Sequence, residues 1–308
     1  MKKYTLLTGG AGFIGSKLSR KLIELGRNVI ILDNLSTGKI ENIPEGSAFI
    51  MGDTFNKEIV GKIFESYSIE SVFHIAGQSS GEVSFENPIY DLESNTLSTL
   101  LLLEACKTHD CKSFIFASTM SIYGDSVNEL VDENEASNPK SFYAIGKYAS
   151  EQYMKIYSNF DIKCTALRLF NVYGPGQNMD NMKQGMLSIY LSQAMHNKKI
   201  IVKGSGERFR DFVYIDDVVQ AFVIAEELKR KFNIYNISSN KKTYVKDLVH
   251  KISTLTGSIP VEYIDGTPGD TFGIVGNSES FMKDTSWRAV TGLDDGLKTM
   301  FLWAKNRI

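Results

Sequence analysis

The feature that most constrains this fold is a run of glycines between a predicted strand and a predicted helix. Residues 8–15 read Thr-Gly-Gly-Ala-Gly-Phe-Ile-Gly, after a strand at 4–8 and at the start of an amphipathic helix at 14–25. Gly9, Gly12 and Gly15 allow a tight turn, close backbone approach to a pyrophosphate, and close packing of helix on strand. Free N–H groups at the helix start attract phosphate oxygens. The run therefore predicts a dinucleotide site, although a purely structural turn is the alternative.

An acidic residue at the end of the second predicted strand indicates which dinucleotide binds. Asp33 follows the strand at 29–32 and lies 18 residues past Gly15. A carboxylate at this place accepts hydrogen bonds from the adenosine ribose hydroxyls and repels a 2′-phosphate. The next residue is Asn34, and no arginine stands there to accept such a phosphate. The sequence therefore predicts NAD as the cofactor rather than NADP, with a helix-capping Asp33 as the alternative.

Strands and helices alternate through the first 170 residues. Predicted strands lie at 4–8, 29–32, 48–51, 71–75, 113–117 and 163–169, and predicted helices at 14–25 and 96–107. This alternation predicts an α/β fold with a doubly wound parallel sheet of the Rossmann type. The later pattern is less regular, with helices at 188–196, 217–228, 245–255 and 296–305 and strands at 200–202, 212–215, 234–237 and 261–264. We expect an NAD-binding domain over 1–170 and a smaller mixed α/β substrate lobe over 171–308, interdigitated with the first.

Composition excludes several classes of function. The chain has 34 basic and 36 acidic residues without long runs of one sign, so we expect no nucleic-acid partner. No stretch approaches the roughly 20 apolar residues that span a bilayer, so we expect no membrane partner. The four histidines and three cysteines lack metal-ligand or CxxC spacing, which predicts no metal site and reduced thiols. With a first apolar run too short for a signal peptide, the expected location is cytoplasmic.

A second constellation predicts the chemistry. Thr119 lies at the end of a Ser/Thr-rich strand, and Tyr143 and Lys147 are four residues apart at the start of a long predicted helix. Residues at this spacing share one helix face, so the ammonium group can lie near the phenol. A nearby cation favours the phenolate, which can take a proton from a sugar hydroxyl as hydride leaves for NAD. Thr119 would hydrogen-bond the same substrate oxygen.

These motifs together resemble the extended short-chain dehydrogenase/reductase family, of the nucleotide-sugar epimerase/dehydratase type, over nearly the whole chain. The resemblance implies a cofactor site made of Gly9, Gly12, Phe13, Ile14, Asp33, Asn34, Asp53, Thr54, Ile75, Ala76, Gly77, Asn95, Tyr143 and Lys147. One position departs from the epimerase pattern, because Ser79 stands where a lysine would contact cofactor phosphate. The family's paired helices further imply a homodimer, here through Leu97, Leu100, Leu101, Leu103, Ile145, Tyr148, Ala149 and Tyr153.

The resemblance also implies a site for a nucleotide-sugar substrate. Asn171 and Arg210 lie in segments similar to the diphosphate-binding segments of the family, and Ser121 and Asp270 complete the expected substrate set. A guanidinium group suits bidentate binding of phosphate oxygens. Thr267 stands where family epimerases often carry an arginine, so the nucleotide base is left open.

Residues 120 and 121 separate the reactions of this family. Its dehydratases carry acidic residues directly after the catalytic threonine, whereas this chain has Met120 and Ser121. Neither side chain can protonate a leaving hydroxyl or take a carbon-bound proton. We therefore expect a nucleotide-sugar epimerase that inverts C4 through a transient 4-keto intermediate. A sugar dehydrogenase or 4-keto reductase with net redox is the alternative, and a non-catalytic NAD-sensing regulator is the remote one.

Overall fold

A computed structural model describes residues 2–126, 128–182, 185–266 and 272–307 of the chain. The strands are β1 Lys3–Thr8, β2 Val29–Asp33, β3 Ala48–Met51, β4 Ser68–His74, β5 Ser113–Thr119, β6 Leu130–Val131, β7 Lys163–Leu169, β8 Asn171–Tyr173, β9 Ile200–Lys203, β10 Phe209–Arg210, β11 Phe212–Tyr214, β12 Phe232–Ile237, β13 Thr243–Tyr244, β14 Val261–Ile264 and β15 Val275–Gly276. The helices are α1 Phe13–Glu24, α2 Lys57–Ser66, α3 Gly81–Glu86, α4 Pro88–Leu92, α5 Ser98–Thr108, α6 Phe142–Tyr157, α7 Met186–His196, α8 Ile215–Ala225, α9 Val245–Leu255, α10 Glu279–Thr285 and α11 Leu293–Lys305. A π-helical turn, Glu93–Leu97, joins α4 to α5.

The central sheet has seven strands in the order β12-β7-β5-β4-β1-β2-β3. β1 pairs in parallel with both β2 and β4, and β3 and β5 continue the sheet in parallel on either side. The strand order thus reverses at β1, which confirms the predicted doubly wound α/β fold. Crevices form at such a reversal, beyond the carboxyl ends of the strands. Thr8, His74 and Thr119 end three of these strands, so they mark the edge where a ligand site is expected.

The core explains why these segments become strands. All residues of β2 and β5 are buried, as expected for parallel strands covered by helices on both faces. Leu6, Ile30 and Val72 form one apolar cluster with Leu102 and Phe114 on the same side of the sheet. The three cysteines, Cys106, Cys111 and Cys164, also lie in this cluster, and all are buried and free.

The helix starts differ in a way that bears on ligand binding. Asn56 caps α2 by accepting from the N–H groups of Glu58 and Ile59, and Ser141 caps α6 by accepting from Ala144. By contrast, α1 begins after Gly12 with no side-chain cap and no acidic residue in its first turn. Its first N–H groups are therefore available to phosphate oxygens, as the glycine run predicts.

The chain divides into two compact units, each made of three segments. The first contains Met1–Ile122, Ser141–Arg168 and Val219–Tyr235, and the second contains Tyr123–Lys140, Leu169–Val218 and Asn236–Ile308. Within the second unit, β8 pairs in parallel with β11, β9 with β14, and β6 with β15, whereas β10 and β13 are antiparallel. The units differ from a division after residue 170 at 123–140, 169–170 and 219–235, so that division stays a prediction.

Membrane-spanning helices and metal-binding clusters are both absent from the described residues. No helix in this part of the chain is both long and apolar enough to cross a membrane. Within the same ranges, no group of three or more His, Cys, Asp or Glu side chains is arranged to hold a metal ion.

Candidate active site

The glycine run forms a turn that no larger residues could form. Gly9 has φ of 71°, and a Cβ there would lie 2.7 Å from the backbone nitrogen of Ala76 on the neighbouring strand end. A Cβ on Gly15 would overlap the carbonyl oxygen of Gly9. The N–H of Gly12 donates to that same oxygen at 3.2 Å, which closes the turn. The spacing of the glycines is therefore required by contacts of the turn with itself and with β4.

Asp33 holds the turn from the end of β2. Its Oδ2 accepts from the N–H of Ala11 at 2.9 Å, and its Oδ1 accepts from the N–H of Leu35 at 2.8 Å. The side chain of Asn34 donates to Oδ1 of Asp53 at 2.6 Å, which joins the ends of β2 and β3. Each carboxylate oxygen has more than one lone pair, so these bonds leave Asp33 able to accept from ribose hydroxyls.

The end of β4 is fixed by a buried histidine. Nδ1 of His74 lies 2.8 Å from Oγ1 of Thr8, and its Nε2 lies 3.3 Å from Oγ of Ser98. Burial and, to a smaller extent, the nearby Lys147 hold the pKa of His74 well below its ordinary value, so the ring is neutral. Oγ1 of Thr8 also accepts from the N–H of Ala76 at 3.2 Å. His74 is thus a structural residue that positions the predicted cofactor segment 75–77.

Thr119 lies at the carboxyl end of β5, and Tyr143 and Lys147 lie in the first two turns of α6. The side chains of Thr119 and Tyr143 are hydrogen-bonded, and Oγ1 of Thr119 also accepts from the N–H of Ser121 at 3.1 Å. Nζ of Lys147 donates to the carbonyl oxygen of Ala117 at 2.9 Å and lies 4.5 Å from the ring centre of Phe116. Tyr143 is therefore in contact with Thr119, and the Lys147 ammonium group is held against β5.

Burial shifts the pKa values of both Tyr143 and Lys147 in the protein without ligand. Burial raises the pKa of Tyr143 to about 12, and Asp91 raises it as well, while the hydrogen bond with Thr119 lowers it. Burial lowers the pKa of Lys147 to about 7, although Asp91 opposes this change. In the protein without ligand, burial disfavours the charged form of each group. The phenolate beside an ammonium group stays a prediction for the protein with NAD bound.

A buried carboxylate that the sequence did not reveal lies beside this pair. Asp91, in α4, is 1% exposed, and its Oδ1 accepts from Nε2 of Gln78 at 2.8 Å and from Nδ2 of Asn95 at 3.2 Å. Nδ2 of Asn95 also donates to the carbonyl oxygen of Gln78 at 2.9 Å. Asn95 lies in the π-helical turn, a distortion that is frequent at functional sites. That distortion was the one local signal, and it is visible only in the structure.

A second buried cluster ties β5 to α6 and β7. Glu151, one turn after Lys147 on α6, accepts from Oγ of Ser118 at 2.6 Å and from Nε and a terminal nitrogen of Arg168 at 3.0 and 2.7 Å. The side chains of Arg168 and Glu151 are 4% and 0% exposed. Arg168 is therefore a structural residue, and the cluster sets the position of Thr119 relative to the helix that carries Tyr143.

The predicted substrate residues of the second unit form a separate cluster. Arg210 is buried, and it donates to the carbonyl oxygens of Phe209 at 2.8 Å and Phe272 at 3.2 Å. Burial, together with the neighbouring Arg208, lowers the pKa of Arg210 to about 10. Asn171 donates through Nδ2 to the carbonyl oxygen of Asp211 at 2.8 Å, so part of its polar group serves the fold. The positions predicted at 267 and 270 lie outside the described residues.

Comparison with known proteins decides the family. A sequence model of the NAD dependent epimerase/dehydratase family matches residues 5–238. The chain belongs to this family. A putative UDP-glucose 4-epimerase of Methanocaldococcus jannaschii is 37% identical, with 98% of each chain covered. The crystal structure of UDP-glucose 4-epimerase with UDP-glucose from Thermotoga maritima has a TM-score of 0.95 at 34% identity, with 99% of each chain covered. That of Thermus thermophilus UDP-glucose 4-epimerase with NAD has a TM-score of 0.92 at 32% identity, covering 99% of this chain and 100% of that one.

As a member of the NAD-dependent epimerase/dehydratase family, the protein uses NAD, and its first unit fits that cofactor. The start of α1 is uncapped, Asp33 has free lone pairs, and the segment 75–77 borders the turn. Oδ1 of Asn95 is buried and, among the described residues, has no hydrogen-bond partner. It lies against Gly77, where a Cβ would overlap it. An acceptor of this kind suits a donor group of a bound ligand. The cofactor residues named from the sequence are thus gathered within one unit, and their individual contacts stay predictions.

Proposed function

We propose that the protein is an NAD-dependent nucleotide-sugar epimerase that inverts C4 of a UDP-sugar through a transient 4-keto intermediate. The observation that carries this proposal is the buried triad of Thr119, Tyr143 and Lys147 at the edge of the NAD-binding unit. The similarity to the UDP-glucose 4-epimerases compared above supports C4 and UDP.

The side chains of the triad have distinct tasks. NAD, when bound, supplies the hydride acceptor and donor and a positive charge close to the reacting carbon. Tyr143 accepts the proton of the C4 hydroxyl and later returns it to the same oxygen. Thr119, already hydrogen-bonded to Tyr143, holds that oxygen. Lys147, as an ammonium ion, stabilises the phenolate that the transfer requires.

Residues 120 and 121 favour epimerisation over dehydration. Met120–Tyr123 forms a short 3₁₀ helix directly after Thr119, so residues 120 and 121 are the first side chains beyond the catalytic strand. Methionine and serine have no carboxyl group with which to eliminate the 6-hydroxyl. An epimerase needs only proton and hydride transfer at C4 and room for the sugar to turn.

Two buried arginines support the choice of a diphosphate-linked substrate. Arg208 and Arg210 are 7% and 6% exposed, and each donates to a backbone carbonyl oxygen. Guanidinium groups in such surroundings gain most from an anionic ligand. We therefore assign Arg210 and Asn171 to the diphosphate, with Ser121 near the sugar.

The test is direct analysis of products. The purified protein is incubated with UDP-, GDP-, CDP- and dTDP-hexoses without added cofactor, and products are separated by chromatography. We expect the C4 epimer of a UDP-hexose and no change in total nucleotide-sugar. Formation of a 6-deoxy-4-keto sugar, or a stoichiometric demand for added NAD, would contradict the proposal.

We also propose that the enzyme is a homodimer. Apolar side chains on α3, α4 and α6 are exposed in the single chain: Phe85, Ile89, Leu92, Phe142, Ile145, Tyr153 and Ile156. Exposed apolar side chains on three contacting helices are typical of an interface between subunits. The prediction was wrong for Leu103, which is fully buried in the core of its own chain, and it missed the residues of α3 and α4.

Light scattering tests the dimer at micromolar concentration. We expect twice the chain mass of 34.4 kDa. Ile145→Asp should give the monomer, because it places a charge in the apolar surface, whereas Leu302→Asp, at another exposed apolar position, should leave the dimer intact. A parent protein that is monomeric would refute the proposal.

The three free, buried cysteines fit the cytoplasmic location that we expect.

A further inference from the structure

The surroundings of Lys147 contain a carboxylate that the proposed reaction does not use. Asp91 is 1% exposed, and it is joined to the segment around Gly77 through Gln78 and Asn95. A Cβ on Gly77 would lie 3.3 Å from Nζ of Lys147. The hydrogen-bonded group of Asp91, Gln78 and Asn95 therefore extends to Gly77, which lies beside the side-chain nitrogen of Lys147.

The second oxygen of this carboxylate faces the catalytic helix. A Cβ on Gly146, the residue before Lys147, would lie 3.7 Å from Oδ2 of Asp91. Oδ2 is buried and, within the described ranges, has no hydrogen-bond partner. A carboxylate buried in this way is costly unless a positive charge compensates it. Burial raises the pKa of Asp91, and Lys147 opposes this rise, so the two groups are electrostatically coupled.

The other groups around Lys147 cannot replace this charge. From β5 it meets the ring of Phe116 and the carbonyl oxygen of Ala117, which carry no net charge. From β4 it faces His74, a neutral ring, and on its own helix Tyr143. Glu151, one turn further along α6, is already paired with Arg168.

We propose that Asp91 is a positioning residue of this site, whose buried carboxylate favours the ammonium form of Lys147 beside Gly77. The proposal deepens the proposed function, because it explains how a lysine without access to water can support the phenolate of Tyr143. Asp91 touches neither reacting group, and it acts only through its charge.

Asp91→Asn is a sharp test because it changes the charge and little else. The amide oxygen can still accept from Gln78 and Asn95, and the amide nitrogen takes the place of the oxygen that has no partner. The titration of Lys147 is followed by NMR in protein labelled with ¹³C at the lysine Cε, and Lys147→Met identifies the resonance. We expect the midpoint, about 7 in the parent, to fall by about one pH unit in Asp91→Asn. Glu82→Gln, which removes an exposed carboxylate from the neighbouring α3, should leave it unchanged.

The pH dependence of epimerase activity gives an independent reading. Asp91 raises the pKa of both Tyr143 and Lys147, so its neutralisation should move both limbs of the bell-shaped profile to lower pH. A residue with a merely structural role would lower the maximum and leave both limbs in place. The NMR midpoint does not depend on the reaction, so the two proposals can fail separately.

A reciprocal measurement decides the matter if Asp91→Asn does not fold. Coupling between two groups acts equally in both directions, so Lys147→Met should raise the pKa of Asp91 by a similar amount. It is measured through the aspartate ¹³Cγ resonances. An Lys147 midpoint unchanged in Asp91→Asn, or an Asp91 midpoint unchanged in Lys147→Met, overturns the proposal.

Discussion

Replacement of Lys147 by methionine should make the stability of the protein without ligand less dependent on pH above pH 7. Burial lowers the pKa of Lys147 from 10.5 to about 7, so the folded chain binds this proton less tightly than the unfolded chain does. Unfolding therefore takes up a proton between pH 7 and 10.5, and the free energy of unfolding of the parent rises with pH in that window by up to about 1.4 kcal/mol per unit. Methionine keeps much of the side-chain volume and removes this linkage.

The magnitude follows from the two pKa values. At pH 7 the penalty for burying the lysine is about 4 kcal/mol, and at pH 10 it is about 1 kcal/mol. The difference in free energy of unfolding between Lys147→Met and the parent should thus shrink by about 3 kcal/mol from pH 7 to pH 10. Urea unfolding of protein freed of NAD measures it, with Lys155→Met on the exposed side of α6 as the control. A difference that stays constant over this range would refute the assignment of Lys147 as a buried, weakly basic amine.

Three further predictions follow from the site. Tyr143→Phe should reduce epimerase turnover by about 10²- to 10⁴-fold while leaving nucleotide-sugar affinity nearly unchanged, as measured by steady-state kinetics and calorimetry; undiminished turnover would place the base elsewhere. Because Asp33 repels a 2′-phosphate, NAD should bind at least about ten-fold more tightly than NADP in fluorescence titrations, and equal affinity would contradict this role. Arg168→Met should lower the free energy of unfolding by about 3–5 kcal/mol by leaving Glu151 charged and unpaired, whereas Arg168→Met combined with Glu151→Leu should recover much of it; equal losses would show that charge is not the cause.

The parts of the fold that the sequence predicted well have short-range causes. Glycine spacing fixed the turn after β1 because Gly9 and Gly15 are constrained by atoms within seven residues or on the adjoining strand. The strand at 163–169 coincides with β7, and the helix at 245–255 coincides with α9. In each case apolar periodicity within one segment is enough to identify the element.

The parts that the sequence did not predict depend on contacts between distant segments. No local pattern shows that the Asp91 carboxylate is buried, because it is covered by residues around Gln78 and by α6. The helix α2 was also missed, although Asn56 and the following Glu58 are an ordinary helix start. Leu103 was assigned to an outer surface because the sequence does not reveal which face of α5 meets the sheet. The protonation of Tyr143 and Lys147 likewise depends on burial, which spacing does not report.

The pKa values of Tyr143 and Lys147 together determine the charge of the site in the protein without ligand. With a pKa of about 12 for Tyr143 and of about 7 for Lys147, the protein without ligand holds mainly a neutral phenol and a neutral amine at pH 8 to 10. The proposed catalytic form, a phenolate with an ammonium ion, has the same number of protons, so it requires no net exchange of protons with solvent. Asp91 opposes the charge on Tyr143 and favours the charge on Lys147, so its two effects on this transfer partly cancel. We expect the site to stay mainly neutral without ligand and to become charged when ligand charges compensate the phenolate, because an isolated buried ion pair is costly.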